Sequence, residues 1–188
     1  IHYPDLLNGL SEEIKKTFNS VLLNVFSKIR QDEKLKNAFS VDINFDKAFD
    51  NNRISFTGER VVPGLTPYRL YISHIKRYAF GRKFCQDKNI LDAGCGTGYS
   101  TKYISQAAHQ CHALDISSET IEFAKKMYSA ANIKWGVGDV RQLEYPDQHF
   151  DTILSFEVIE HLYRKDLDPF LQGLCRVTKP GGKIIIST

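Results

Sequence analysis

Two hydrophobic periods run along this chain. Over the first fifty residues apolar positions recur at helical spacing, with Ile14, Phe18, Val21, Leu22, Val25, Phe26 and Ile29 on one stripe. Ser11 supplies an N-cap, and Glu12 and Glu13 suit the first turn. The stripe predicts a helical extension over residues 1–50. Its apolar face needs a cover, either the rest of the chain or a second copy in a homodimer, and a substrate lid is the rarer use of such a face. Residues 40–66 are irregular, broken at Asn51-Asn52 and Pro63-Gly64. Thr66-Pro67 then opens a helix, with Thr as N-cap and Pro at the first helical position. Tyr68, Tyr71, Ile75, Tyr78 and Ala79 form its apolar face, and Gly81 is read as its end.

From residue 88 short apolar runs alternate with amphipathic ones. Strands are predicted over 89–93, 110–116, 133–137, 150–156 and 183–188. Helices are predicted over 98–108, 118–130 (capped by Ser117 or Ser118) and 165–177, the last buried through Leu167, Phe170, Leu171, Leu174 and Val177. Lys179-Pro180-Gly181-Gly182 reads as a turn before the last strand. Strands separated by helices of about 10–15 residues predict a mainly parallel sheet covered on both faces. The expected fold is an α/β, Rossmann-like three-layer sandwich occupying residues 51–188.

Composition changes this picture little. The 188 residues suit one domain plus an appendage, and 42% hydrophobic with 25% charged residues is ordinary for a soluble fold. A net charge of +3 is too weak to argue for a nucleic-acid partner. No apolar run reaches the roughly 18–20 residues of a membrane span. The start, Ile1-His2-Tyr3-Pro4, lacks both an initiator Met and the pattern of a secretory signal, which reads as a fragment or a processed chain. Cys85, Cys95, Cys111 and Cys175 form no Cys-x-x-Cys pair, so neither structural zinc nor a disulfide framework is expected, and a reducing cytoplasm is the default setting.

The candidate chemistry sits in Leu91-Asp92-Ala93-Gly94-Cys95-Gly96-Thr97-Gly98, a glycine turn between a strand and a helix. Glycine lets a backbone turn sharply and approach a ligand, and in a doubly wound sheet such turns edge the ligand crevice. A dinucleotide fingerprint would be Gly-x-Gly-x-x-Gly, with pyrophosphate on the helix N-terminus. Here the spacing is Gly-x-Gly-x-Gly, and Asp92 precedes it. A carboxylate there repels a diphosphate and suits a cationic sulfonium and an ammonium group, which favours S-adenosylmethionine. Asp115 closes the second strand, where an acid can accept both ribose hydroxyls, although this alone fits NAD equally. Asp139 follows the third strand and can accept an adenine amine while Val140 packs on the ring. The commoner use of such an Asp is in a turn.

Residues 88–188 resemble the first five strands of a class I S-adenosylmethionine-dependent methyltransferase. The glycine turn is similar to the family's first motif. Asp115, Asp139, residues 143–151 (Leu-Glu-Tyr-Pro-Asp-Gln-His-Phe-Asp) and residues 177–183 (Val-Thr-Lys-Pro-Gly-Gly-Lys) follow its later motifs in order. The resemblance implies a cofactor-binding set of Asp92, Gly94, Cys95, Gly96, Asp115, Ile116, Asp139, Val140, Phe156 and Glu157, with Phe156 and Glu157 beside the methyl donor. Upstream, residues 56–63 (Phe-Thr-Gly-Glu-Arg-Val-Val-Pro) with His74, Arg77 and Tyr78 are similar to a subset of bacterial methyltransferases found near sugar- and natural-product-modifying enzymes. On that likeness Arg60 or Arg77 reaches the cofactor's carboxylate, although a surface salt bridge explains either as well. Family members continue past the fifth strand with a helix and an antiparallel strand pair. Their absence from this sequence is read as a truncated chain, a degenerate member or one completed by a partner.

Glu157-Val158-Ile159-Glu160-His161 holds three potential ligands. On a helical turn Glu157, Glu160 and His161 fall at i, i+3 and i+4, a face that could take Mg²⁺, Mn²⁺ or Zn²⁺. The segment resembles one in ubiquinone-pathway and small-RNA 2′-O-methyltransferases that bind a divalent ion. No further ligand is identified, and no residue is assigned to a metal. His161 is the candidate catalytic residue, an imidazole able to take a proton from an attacking hydroxyl. A hydrogen bond to a loop is its bland alternative. The expected function is methyl transfer from S-adenosylmethionine to an O or N nucleophile of a small molecule, such as a sugar or natural-product intermediate. The rivals are a metal-dependent O-methyltransferase acting on a quinone precursor or an RNA 3′ end, a dinucleotide-dependent oxidoreductase, and a non-catalytic cofactor-binding or interaction module.

Overall fold

In the computed structural model, residues 61–62, 66 and 68–188 are described. The extension expected over residues 1–50, its dimer role, the boundary near residue 50 and Arg60 lie outside them. The sequence Ile90-Leu91-Asp92-Ala93 is buried at every position, as it must be in a central strand covered on both faces. This strand, β1 (Asn89–Ala93), is preceded by α1 (Tyr68–Arg82) and followed by α2 (Tyr99–Ser105). Next come β2 (Gln110–Asp115), α3 (Ser118–Met127), β3 (Ile133–Val137) and β4 (Phe150–Phe156). Two short 3₁₀ turns, Ile159–His161 and Arg164–Asp166, lead into α4 (Leu167–Val177) and β5 (Thr178–Ser187). The strands are ordered β3-β2-β1-β4-β5, and every pairing is parallel.

Alternation along the strands sorts side chains onto two faces. Leu91 and Ile153, paired in register, face the layer containing α4, where Phe170, Leu174 and Val177 are fully buried. Each such side chain contributes about 1.5–3 kcal/mol of burial. On the opposite face Asp92 and Leu154 are register partners, and α1 packs there. The sheet therefore has helices on both sides, the expected three layers. Ser117 caps α3, its hydroxyl accepting from the Thr120 N–H at 3.3 Å.

Several boundaries differ from the sequence reading. α1 ends at Arg82, one residue beyond the expected stop at Gly81, where a Cβ would stand 3.0 Å from Leu154 Cδ2 and 3.2 Å from Phe156 Cζ. The small size of Gly81 serves close helix–sheet approach. Thr66 accepts the Val62 N–H on its hydroxyl at 2.7 Å, tightening the turn ahead of α1. Residues 179–182 form a bulge within β5: Phe150 pairs with Thr178, whereas Thr152 pairs with Lys183. Among the described residues no helix is long and apolar enough to cross a membrane.

Candidate active site

The strand order reverses between β1 and β4, and a doubly wound sheet opens a crevice where its crossovers diverge in this way. A cavity of about 480 Å³ lies beyond the ends of β1, β2 and β4. Its floor is the glycine turn, with Gly94, Cys95 and Gly96 in its lining. Gly94 has φ +85°, and a Cβ on it would sit 2.3 Å from Val158 Cγ2, so Val158 of the segment after β4 closes directly over the turn. Gly98 does other work and does not line the cavity. A Cβ there would fall 2.6 Å from Trp135 and 2.7 Å from Ala124, so it lets α2 approach the neighbouring layer.

Asp115 ties the turn to β2. Its Oδ2 accepts the Gly96 N–H at 2.9 Å and its Oδ1 accepts the Ser117 N–H at 2.9 Å. Both carboxylate oxygens are thus oriented by backbone before any ligand arrives, and each keeps capacity for a further donor. Asp115 and the well-exposed Ile116 line the cavity together.

Asp92 corrects the sequence reading. It is fully buried and does not line the cavity. Its carboxylate accepts from Tyr78 Oη at 2.9 Å and Thr101 Oγ1 at 2.5 Å, which joins α1 and α2 to β1 behind the glycine turn. Burial pushes its pKa up to about 6, against the opposing hydrogen bonds from Thr101 and Tyr78. A charge argument made along the sequence could not see two hydroxyls supplied from other helices.

On the β3 side Asp139 and Val140 line the cavity. The Asp139 carboxylate is held by Arg141, whose Nε reaches Oδ1 at 2.9 Å and whose Nη2 reaches Oδ2 at 2.5 Å. These bonds hold the Asp139 carboxyl below the usual range. Arg141 Nη1 also donates to Asp166 Oδ2 at 3.2 Å. Sequence reasoning missed both Arg141 and Asp166, which are 25 positions apart and belong to none of the motifs it singled out.

Phe156 and Glu157 form the β4 side. Glu157 has φ +56°, a conformation unusual outside glycine and stored most often at functional sites. Its Oε1 pairs with Arg77 Nη2 at 3.2 Å and accepts from Ser187 Oγ at 3.3 Å. Glu157 therefore precedes the 3₁₀ turn and is committed to a cation. The metal face imagined for Glu157, Glu160 and His161 does not form, and the described residues contain no group of three or more potential ligands. His161 lines the cavity from an exposed position, its N–H bonded to Val158 O. Burial lowers the pKa of His74 to about 4, with Glu157 opposing and Arg77 assisting, so its imidazole is neutral near pH 7.

Among the described residues four buried side-chain polar atoms have no partner, one of them Tyr128 Oη at the end of α3. His74 Nδ1 and Tyr99 Oη are on residues of the cavity lining, whereas Arg77 Nη1 is not. Buried donors are left unsatisfied rarely, and a ligand is one explanation. A molecule with vicinal hydroxyls for Asp115 and an aromatic amine for Asp139 suits the two acids of the lining. S-adenosylmethionine carries both groups, and the residues present fit it.

Comparison with known proteins agrees. Residues 91–186 match the family described as "Methyltransferase domain". The chain is 32% identical over 136 residues to a probable S-adenosylmethionine-dependent methyltransferase of Mycolicibacterium smegmatis, covering 72% of this chain and 51% of that one. It is 33% identical over 99 residues to a fatty-acid O-methyltransferase of the same organism, covering 52% of this chain and 35% of the relative. The chain thus spans about half or less of the length of these relatives. Among solved structures, the PH0226 protein of Pyrococcus horikoshii superimposes with a TM-score of 0.60 at 25% identity, covering 70% of this chain and 62% of that one. The chain belongs to the class I S-adenosylmethionine-dependent methyltransferases.

Proposed function

We propose that this chain transfers a methyl group from S-adenosylmethionine to an O or N nucleophile of a small molecule. The observation that carries the reading is Asp115, oriented by the Gly96 and Ser117 amides at the mouth of the glycine turn. Asp115 holds the ribose, Asp139 and Val140 frame the adenine, and Gly94, Cys95 and Gly96 line the methionine part. The cofactor supplies a methyl group on a sulfonium, which any well-placed nucleophile can accept.

The protein's contribution is alignment and exclusion of water. Phe156 and Val158 cover the floor of the cavity, and Glu157 keeps Arg77 in place. An amine acceptor needs only to be desolvated and aimed. A hydroxyl acceptor must also lose its proton, and His161 on the cavity rim receives it. The fatty-acid O-methyltransferase relative supports an oxygen nucleophile on a small molecule, and the upstream likeness supports a sugar or natural-product intermediate.

The test is transfer of a labelled methyl group from S-adenosylmethionine to a panel of hydroxyl- and amine-bearing small molecules. Label in at least one acceptor is expected. His161→Ala should slow hydroxyl acceptors and spare S-adenosylhomocysteine binding. Cofactor binding without transfer to any acceptor would favour a non-catalytic binding module.

A further inference from the structure

Asp139 is not a free aspartate. The Arg141 N–H and Nε both donate to its Oδ1 at 2.9 Å, Nε also reaches Oδ2 at 3.0 Å, and Nη2 reaches Oδ2 at 2.5 Å. A guanidinium is a rigid planar fork, so this arrangement fixes the plane of the carboxylate. Three N–H groups occupy an acceptor with room for about four, which leaves capacity for one more donor. The same guanidinium extends Nη1 to Asp166 at 3.2 Å. Asp166 closes the segment 157–166, which also contributes Val158, His161, Leu162 and Tyr163 to the cavity wall. Side-chain exposures are 25% for Asp139, 16% for Asp166 and 36% for Arg141, so two partly buried acids share one exposed guanidinium. One guanidinium thus joins the β3 wall of the cavity to the wall that follows β4.

We propose that Arg141 is a positioning residue: it presents Asp139 to the exocyclic amine of the cofactor's adenine and, through Asp166, ties the 157–166 wall to the β3 wall. The proposal rests on the cofactor reading above. Fixing the carboxylate in advance removes the entropy that a mobile side chain would lose on binding. The link to Asp166 makes the 157–166 wall, which carries His161, depend on the same guanidinium that fixes Asp139.

The test is calorimetric titration with S-adenosylhomocysteine and with S-inosylhomocysteine, whose 6-oxo group replaces the amine. Amide hydrogen exchange over residues 157–166 is followed in parallel. The wild type is expected to prefer the adenosyl ligand by about tenfold or more, the scale of one hydrogen bond to a charged group. Arg141→Gln should weaken S-adenosylhomocysteine binding about tenfold and remove most of that preference. Arg141→Lys, with one ammonium in place of a fork, should recover affinity only in part. Asp166→Asn leaves Asp139 forked, so it should keep the preference but lose protection over 157–166. An unchanged preference in Arg141→Gln, or wild-type protection in Asp166→Asn, would overturn the proposal while leaving the cofactor reading intact. A wild type that fails to bind S-adenosylhomocysteine would overturn both.

Discussion

Removing the Asp92 carboxylate probes the frame behind the glycine turn. This side chain has no exposure and accepts hydroxyl protons from Tyr78 and Thr101. Asp92→Ala leaves both donors buried without an acceptor, at about 1–3 kcal/mol each. Asp92→Asn is milder, about 1 kcal/mol, because one hydroxyl can turn to accept from the amide. The pH dependence gives a second reading. Burial raises the folded pKa from 3.8 to about 6, so the folded state holds the proton more tightly than the unfolded chain does. Stability from this group is therefore greatest below about pH 4 and declines as pH rises through about 6. The full span is worth about 3 kcal/mol, of which about 1.4 kcal/mol falls between pH 5 and 8. Urea denaturation of wild type and Asp92→Asn at those two pH values reads it directly. The asparagine variant should gain about 1.4 kcal/mol on the wild type as pH rises from 5 to 8. Because Asp92 does not line the cavity, the folded asparagine variant should bind S-adenosylhomocysteine within about threefold of wild type. Parallel pH profiles, or an alanine variant as stable as wild type, would refute the buried-acceptor account.

Asp115→Asn sets an amide NH₂ against either the Gly96 or the Ser117 N–H, and should cost about 1–3 kcal/mol in denaturation and at least tenfold in S-adenosylhomocysteine affinity. Gly94→Ala combines a left-handed backbone with a 2.3 Å approach to Val158, and should lose about 2 kcal/mol or more while loosening the 157–161 segment in hydrogen exchange. Phe170→Ala opens the core beneath α4 and should cost about 3–5 kcal/mol in urea denaturation with an unchanged slope.

The parts legible in the sequence were those set by local pattern. Strands β1, β3 and β4 fall where short apolar runs lie between turn residues, and Ser117 caps α3 as its position implies. Of the cofactor-binding residues the sequence picked out, all except Asp92 line one cavity, because strand ends in a parallel sheet converge on one edge. The errors came from contacts between distant parts of the chain. Gly81 reads only as a helix stop until Leu154 and Phe156 are seen against it. Residues 179–182 look like a turn between elements until the β4 ladder is seen to resume beyond them. Asp92 was assigned by charge, yet its partners come from α1 and α2. Arg141, two residues from Asp139, carries no motif, and its second partner lies on a separate turn.

The central claim is that the crevice between β1 and β4 is built for S-adenosylmethionine rather than for a dinucleotide. Calorimetric titration of this chain with S-adenosylhomocysteine and, separately, with NAD⁺ tests it most directly. Saturable one-to-one binding of S-adenosylhomocysteine, weakened by Asp115→Asn, with no detectable heat from NAD⁺, is the predicted result. Binding of NAD⁺ without binding of S-adenosylhomocysteine would contradict the account.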